Sequence, residues 1–178
     1  LTLLRFTFRQ VARDTQSPAQ LASRMSTALY DEWGGSYVTG VVARIDIAAH
    51  TLTYTNAGHP PGVLVRDGAA RGLADGGPPL SLFPDAHYVE ELLDLNGGDV
   101  CVLLTDGITE AFDEAEQPWR SMVLDAVRQG RRSARAVSNA IMARARDGHG
   151  PAGVDWTDDR TGIVMSVNDE RGLERGVA

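Results

Sequence analysis

Carboxylate side chains stand at the ends of two apolar stretches of this sequence. Asp106 ends the stretch DVCVLLTD, whereas Asp158 and Asp159 come just before the stretch TGIVMSV. Both stretches contain several β-branched residues and are predicted to be core strands. If these strands pair in antiparallel fashion, the end of the first lies beside the start of the second, and Asp106 approaches Asp158. Converging carboxylates suit Mg²⁺ or Mn²⁺, which can activate a water and hold a phosphoryl group.

Each of these carboxylates also fits a purely structural role. Asp106 and Gly107 form an Asp-Gly pair, which is common in turns, and acidic residues often precede strands. The two roles are compatible, because Gly107 can serve a turn while Asp106 binds a metal. Spacing alone therefore leaves both interpretations open.

The helices that frame these strands follow from the spacing of apolar residues. Helical periodicity predicts three helices, over residues 1–13, 118–129 and 133–146. A further helix is predicted to begin after Ser17, with Pro18 at its first position and Gln20 completing a capping box. Gly34 is predicted to end it, near Trp33.

The remaining apolar stretches alternate or are rich in β-branched residues, as strands are. They are SYVTGVVARIDI, HTLTYTNA, GVLVRDG, HYVEELLDL, DVCVLLTD and TGIVMSV. The first two are predicted to form a hairpin, and residues 69–86 to form a loop. Helices, strands, helices and a strand follow one another without regular βαβ alternation, which predicts an α+β fold with mostly antiparallel strands.

Composition excludes several classes of partner and location. The formal net charge of -7 argues against nucleic acid, which requires a basic surface. No stretch approaches the ~20 apolar residues of a membrane span, and no signal peptide is evident. The single cysteine, Cys101, cannot form an internal disulfide and is predicted to be buried. We expect a cytoplasmic protein without nucleic-acid or membrane partners.

Four short motifs occur in a characteristic order along the chain. They are NAGHPP at residues 56–61, Gly98-Asp99, TDGITE at residues 105–110 and DDRT at residues 158–161. In this order they resemble the PPM/PP2C-type serine/threonine phosphatases. The resemblance is to the bacterial branch that includes the stage II sporulation phosphatase and the sigma-regulating phosphatases. It covers residues 1–168, the predicted phosphatase domain, and leaves residues 169–178 as a predicted disordered tail.

The resemblance implies an α-β-β-α sandwich of mostly antiparallel sheets flanked by helices. It also implies a Mg²⁺ or Mn²⁺ centre whose activated water hydrolyses phosphoserine or phosphothreonine. Asp106 and Asp158 match the family's metal-binding aspartates. Asp159, Gly107 and Glu110 match positions that would at most support those ligands. The implied substrate is a phosphoprotein, such as an anti-sigma-factor antagonist.

Two further metal-site motifs of the family are expected upstream of Leu1. One is a Gly-Asp on a first hairpin strand, and the other is Asp-x-x-Gly-His-Gly leading into the helix that residues 1–13 match. The chain is therefore expected to be the C-terminal, larger part of the domain, without its first strands. The sequence Asp147-Gly148-His149-Gly150 imitates the second motif, but no helix pattern follows it, and we interpret it as a loop. We interpret His59 as shaping a turn.

A second hypothesis is a phosphatase-like binding module without catalysis. Two carboxylates surrounded by water bind Mg²⁺ weakly, and a missing hairpin would leave a sheet edge prone to association. An unrelated hydrolase with two carboxylates is a third possibility, which the four ordered motifs disfavour.

Overall fold

The computed structural model describes residues 2–110, 118–130, 133–147 and 159–168. Its elements in chain order are α1 (Thr2–Val11), α2 (Pro18–Trp33), β1 (Gly40–Asp46), β2 (Thr51–Ala57), β3 (Val63–Arg66), β4 (Ala69–Gly72), β5 (Glu91–Asp94), β6 (Val100–Leu104), α3 (Asp106–Thr109), α4 (Pro118–Gln129), α5 (Ala134–Asp147) and β7 (Gly162–Ser166). The predicted helices and the predicted hairpin of β1 and β2 are confirmed.

The chain forms two compact units. Unit 1 comprises Leu1–His59 and Ala74–Leu95, and unit 2 comprises Pro60–Leu73 and Asn96–Ala178. Each unit has its own antiparallel sheet with helices packed against it. The α+β class with antiparallel sheets flanked by helices is therefore confirmed, whereas the domain boundary at residue 168 stays a prediction.

Helix α2 begins where its capping residues predict. The Ser17 hydroxyl accepts a hydrogen bond from the backbone N–H of Gln20 (3.2 Å), and Pro18 occupies the first turn. The side chain that completes the cap is that of Glu90, and not that of Gln20 as predicted from the capping box. The carboxylate of Glu90 accepts hydrogen bonds from the Ser17 hydroxyl (2.6 Å) and from the N–H of Ala19 (3.1 Å). A carboxylate at a helix N-terminus satisfies donors that the helix leaves unpaired. Here that carboxylate comes from a distant part of the chain.

The sheet of unit 1 has the order β1–β2–β5, so β1 is an edge strand. Strand β1 pairs with β2 from Gly40 opposite Ala57 to Asp46 opposite Thr51. The helices pack on one face of this sheet, where α2 contributes buried apolar residues to the core cluster. Those residues are Leu21, Ala22 and Met25.

The sheet of unit 2 has the order β4–β3–β6–β7. Its core is built from valines of β3 and β6, such as Val63 and Val102, which pack with Val123 of α4 and Ile141 of α5. Since β6 lies between two strands and under this core, nearly all its residues are buried. Cys101 in β6 is buried as predicted.

One prediction about the strands is wrong, and one pairing could not be predicted. Residues 69–72, expected within a loop, form β4, because Asp67 (φ 49°) and Gly68 (φ 79°) make a tight hairpin turn after β3. The two strands predicted on either side of NGGD are present as β5 and β6, but they join different sheets: β5 pairs with β2 in unit 1, and β6 pairs with β3 and β7 in unit 2. Alternation within a strand does not encode which strand becomes its partner.

Candidate metal centre

The end of β6 and the start of β7 lie side by side in unit 2, which meets the condition set in the sequence analysis for Asp106 to approach Asp158. The strands are antiparallel, and their last register pair is Leu104 opposite Gly162. Beyond that pair the backbone N–H of Thr105 donates to the carbonyl of Thr161 (3.0 Å). The segment before Asp106 is therefore held against the segment after Asp159.

The hydroxyl of Thr105 strengthens this connection. Its Oγ1 accepts a hydrogen bond from the N–H of Thr161 (3.0 Å) and lies 3.2 Å from the carbonyl oxygens of both Asp159 and Thr161, to which it can donate. One side chain thus bonds the backbone on both sides of residue 160. We call this arrangement the threonine clamp. The sequence analysis missed it, although Thr105 lies inside the TDGITE motif.

Asp106 lies directly after the threonine clamp and opens the short helix α3. Its side chain is exposed, and Oδ1 accepts a hydrogen bond from the N–H of Gly107 (2.9 Å). Its backbone carbonyl accepts from the N–H of Glu110 (2.8 Å). Among the described residues, Oδ2 of Asp106 has no hydrogen-bond partner. The carboxylate is therefore oriented through one oxygen, and the other is not engaged by any residue that the structure describes.

Gly107 does not serve the turn that the Asp-Gly pair suggests. It has helical backbone within α3 and a negative φ, and it is buried. The neighbouring Ile108 is fully buried in the core of unit 2, with Trp119 and Val123 among the cluster members. The buried side chain of Ile108 anchors α3, and this anchor fixes the position of Asp106 at the edge of the sheet.

Of the other predicted site residues, the structure describes Glu110 and Asp159 but not Asp158. The side chains of Glu110 and Asp159 are exposed, and each contributes a backbone group to the local hydrogen bonds. Asp158 lies outside the described residues, as does most of the Asp-Gly-His-Gly sequence at residues 147–150. The structure shows that the two strands are adjacent, whereas the approach of Asp158 to Asp106 stays a prediction.

The chemistry of Asp106 fits a hard divalent cation. An exposed carboxylate with one unengaged oxygen can bind Mg²⁺ or Mn²⁺ and leave room for several waters. Within the described ranges, no group of three or more His, Cys, Asp or Glu side chains is placed to hold a metal ion. The described residues thus fit one part of a metal site.

The first four residues of the NAGHPP motif, 56–59, form a hydrogen-bonded turn in unit 1. Asn56 is 2% exposed, and its side chain accepts from the N–H of His59 (2.9 Å) and donates to the carbonyl of the same residue (2.8 Å). Gly58 has φ 68°, and a Cβ there would lie 2.6 Å from the ring of Pro79. This turn therefore depends on Asn56 and Gly58, and His59 takes part in it through its backbone N–H and carbonyl.

The Gly98-Asp99 motif also has a structural role. Asp99 is 1% exposed and accepts two hydrogen bonds from the guanidinium of Arg66, from Nε (2.9 Å) and from a terminal nitrogen (2.7 Å). It also accepts from the N–H of Asn96 (2.8 Å). Burial, together with the nearby Asp99 carboxylate, raises the pKa of the Cys101 thiol to about 11. The ion pair fastens the turn before β6 to the end of β3.

Comparison with known proteins supports the family resemblance that the four ordered motifs suggest. The family model of stage II sporulation protein E (SpoIIE) matches residues 1–168. The phosphoserine phosphatase RsbP of Bacillus subtilis is 29% identical over 100 residues, which are 53% of this chain and 25% of RsbP. The chain thus spans a small part of this relative.

Solved structures share the fold at low sequence identity. The SiaA-PP2C domain of Pseudomonas aeruginosa superposes with a TM-score of 0.76 and 16% identity, over 94% of this chain and 68% of that one. The catalytic domain of the serine/threonine phosphatase PstP, in complex with two manganese ions, gives a TM-score of 0.64 and 16% identity, over 94% and 80%. No helix among the described residues is both long and apolar enough to span a membrane.

Proposed function

Because the chain belongs to the stage II sporulation protein E family of PP2C-type phosphatases, we propose that it is part of a metal-dependent protein serine/threonine phosphatase. Its substrate is a phosphoprotein, and an anti-sigma-factor antagonist is the candidate from the sigma-regulating branch. The name of RsbP as a phosphoserine phosphatase supports this substrate class. The manganese ions of the PstP domain support the proposed cofactor, Mn²⁺ or Mg²⁺.

In this proposal Asp106 and Asp158 bind the ion. The observation that carries it is the threonine clamp, which holds the backbone before Asp106 against residues 159–161. This contact supports the proposal because it joins the residue before Asp106 to the residue after Asp158. When bound, the ion supplies charge stabilisation for phosphoryl transfer and makes a water more acidic.

The chain's own residues orient the ligands and keep them in place. The N–H of Gly107 holds one oxygen of Asp106 and leaves the other free to bind. Ile108 anchors α3 in the core, so the carboxylate does not follow the motions of a loop. Asp159 and Glu110 support the ligands through backbone bonds on either side of the site.

The decisive test is Mn²⁺-dependent hydrolysis of p-nitrophenyl phosphate. We expect weak activity from this chain and clear activity from a longer form that includes the expected upstream metal motifs. In the longer form, Asp106→Asn and Asp158→Asn should each remove most of the activity and weaken Mn²⁺ binding measured by calorimetry. Asp125→Asn is the matched control, because this exposed aspartate lies on α4 and forms its ion pair with Arg128 (3.6 Å).

Two outcomes would contradict the proposal. Full activity in both aspartate variants would show that Asp106 and Asp158 are not the metal ligands. If the longer form binds Mn²⁺ but hydrolyses neither the aryl phosphate nor a phosphoprotein, the alternative of a non-catalytic phosphatase-like module is correct.

A further inference from the structure

The DDRT motif contains one residue, Arg160, that has no role in the proposed metal centre. It lies between Asp159 and Thr161, the two residues that the threonine clamp holds. Its side chain is partly buried, and Nη1 donates a hydrogen bond to the backbone carbonyl of Ala145 in α5 (2.5 Å). Among the residues that the structure describes, no other group bonds the Arg160 side chain. The clamped segment thus has a second attachment, made by a side chain.

The carbonyl of Ala145 requires a donor from outside its own helix. Helix α5 ends at Asp147, and the last four carbonyls of an α-helix have no intrahelical N–H partner. The partial negative charge of these carbonyls also favours a cation at this end of the helix. The side chain of Ala145 is fully buried in the core of unit 2, and α5 packs against β7. The guanidinium of Arg160 therefore binds a part of the fold that core packing holds in place.

Residues 159–161 are consequently held from two directions. The hydroxyl of Thr105 bonds their backbone to the end of β6, and the Arg160 side chain bonds them to the end of α5. Because both attachments restrict the same short segment, losing one lets the segment shift and weakens the other. Asp106 follows Thr105 directly, so a shift of the threonine clamp changes the position of its carboxylate.

A guanidinium next to the threonine clamp has a second conceivable role, which is to bind the phosphate of the substrate. Arginine commonly binds phosphate through two adjacent nitrogens. The bond to Ala145 argues against this role, because it engages a terminal nitrogen of Arg160 at a helix end. The two roles predict different kinetics, since a phosphate ligand affects KM and a positioning residue affects the affinity for the metal.

We propose that Arg160 is a positioning residue of the metal centre. By joining residues 159–161 to α5 it keeps the threonine clamp in place, and through the clamp it holds the Asp106 carboxylate where the ion binds. This role rests on the proposed function, in which Asp106 is a metal ligand. Replacing a residue that orients a metal ligand typically lowers metal affinity or activity by about 10- to 100-fold.

The test is Mn²⁺ binding by calorimetry in the longer form that includes the upstream metal motifs, at a temperature where circular dichroism shows every variant folded. Arg160→Met removes the N–H donors and keeps an unbranched side chain, and it should weaken Mn²⁺ binding about ten-fold. Arg160→Lys retains a cationic donor and should restore most of the affinity. At saturating Mn²⁺, the KM for p-nitrophenyl phosphate should stay unchanged in Arg160→Met, because Arg160 does not contact the substrate.

Arg144→Met is the matched control. Arg144 is a partly buried arginine of α5 that donates to the backbone carbonyl of Met122 (3.2 Å), so its loss removes an equivalent bond from unit 2 at a position outside the threonine clamp. This variant should keep its Mn²⁺ affinity. Arg160→Met and Thr105→Val should also be coupled, since both act through the clamp. Their double variant should therefore lose less affinity than the product of the two single losses.

Four results would overturn the positioning role. Unchanged Mn²⁺ affinity in Arg160→Met, beside a clear loss in Asp106→Asn, would exclude it and leave the metal site standing. A raised KM with unchanged Mn²⁺ affinity would identify Arg160 as a phosphate ligand, and an equal loss of affinity in Arg144→Met would reduce its effect to general stability. Unchanged Mn²⁺ binding in Asp106→Asn would overturn the metal site and the positioning role together. If Arg160→Met does not fold, Arg160→Gln takes its place and should show the same loss.

Discussion

The buried pair of Asp99 and Arg66 offers a quantitative test of how unit 2 is held together. The side chain of Asp99 is 2% exposed and that of Arg66 is 36% exposed, so removing the Asp99 side chain leaves a partly buried guanidinium without its main acceptor. Breaking a buried ion pair from one side costs about 3–5 kcal/mol. Because Arg66 can regain some hydration, we expect Asp99→Ala to lower the free energy of unfolding of unit 2 by about 2–4 kcal/mol.

Denaturant unfolding followed by the fluorescence of Trp119 measures this change. Trp119 is buried in the core of unit 2, and replacing Trp33 and Trp156 with phenylalanine makes it the only tryptophan reporter. The double variant Asp99→Leu/Arg66→Met should lose less stability than Asp99→Leu alone, because no charge is then left without its partner.

Asp125→Asn serves as the control for a lost aspartate. Its pair with Arg128 spans 3.6 Å, and both side chains are more than half exposed, so the change should stay below about 0.5 kcal/mol. If Asp99→Ala also changes the stability by less than that amount, the ion pair does not hold the turn before β6 in place. The structural role assigned to the Gly98-Asp99 motif would then be wrong.

Three further predictions concern single residues. Because burial raises the pKa of Cys101 from 9.0 to about 11, stability should fall as the pH rises from 9 to 11, by up to about 2–3 kcal/mol, and Cys101→Ala should reduce this loss in alkaline denaturation curves. Gly58→Ala should cost about 2–4 kcal/mol in thermal unfolding, since it combines a positive φ with a clash against Pro79. Thr105→Val should cost about 1–2 kcal/mol through the lost hydroxyl bonds and should weaken Mn²⁺ binding of the longer form, because Asp106 is then less firmly positioned.

Each of these has a direct check. The pH dependence between 9 and 11 should not change in Arg13→Gln, and an unchanged curve in Cys101→Ala would contradict the first prediction. Gly40→Ala is the control for Gly58, since Gly40 has no positive φ and a Cβ added there would meet no atom within 4 Å; equal effects would contradict the second. For Thr105, rescue of stability and metal binding by serine would support the role of the hydroxyl, whereas a neutral valine variant would exclude it.

Much of the architecture could be predicted because its causes are local. The start of α2 depends on Ser17 and Pro18, and the helices of unit 2 depend on apolar spacing within each segment. The positions of the strands follow from alternation and β-branched residues, apart from β4. Strand β4 was missed because a segment of Ala69, Ala70, Arg71 and Gly72 has no strand pattern of its own, and its pairing is imposed by the turn at Gly68.

Some features of the candidate site likewise depend on neighbouring residues, and others depend on distant segments of the chain. The sequence by itself determined that Asp106 follows a core strand and that Asp158 precedes another, because both facts depend on neighbouring residues. Only the tertiary structure decided that the two strands are partners, that Thr105 joins them through its hydroxyl, and that Ile108 anchors Asp106 from the core. It also decided that β5 and β6, adjacent in the chain, belong to different sheets. These features depend on pairing between distant segments of the chain, which the alternation of side chains in a single strand does not specify.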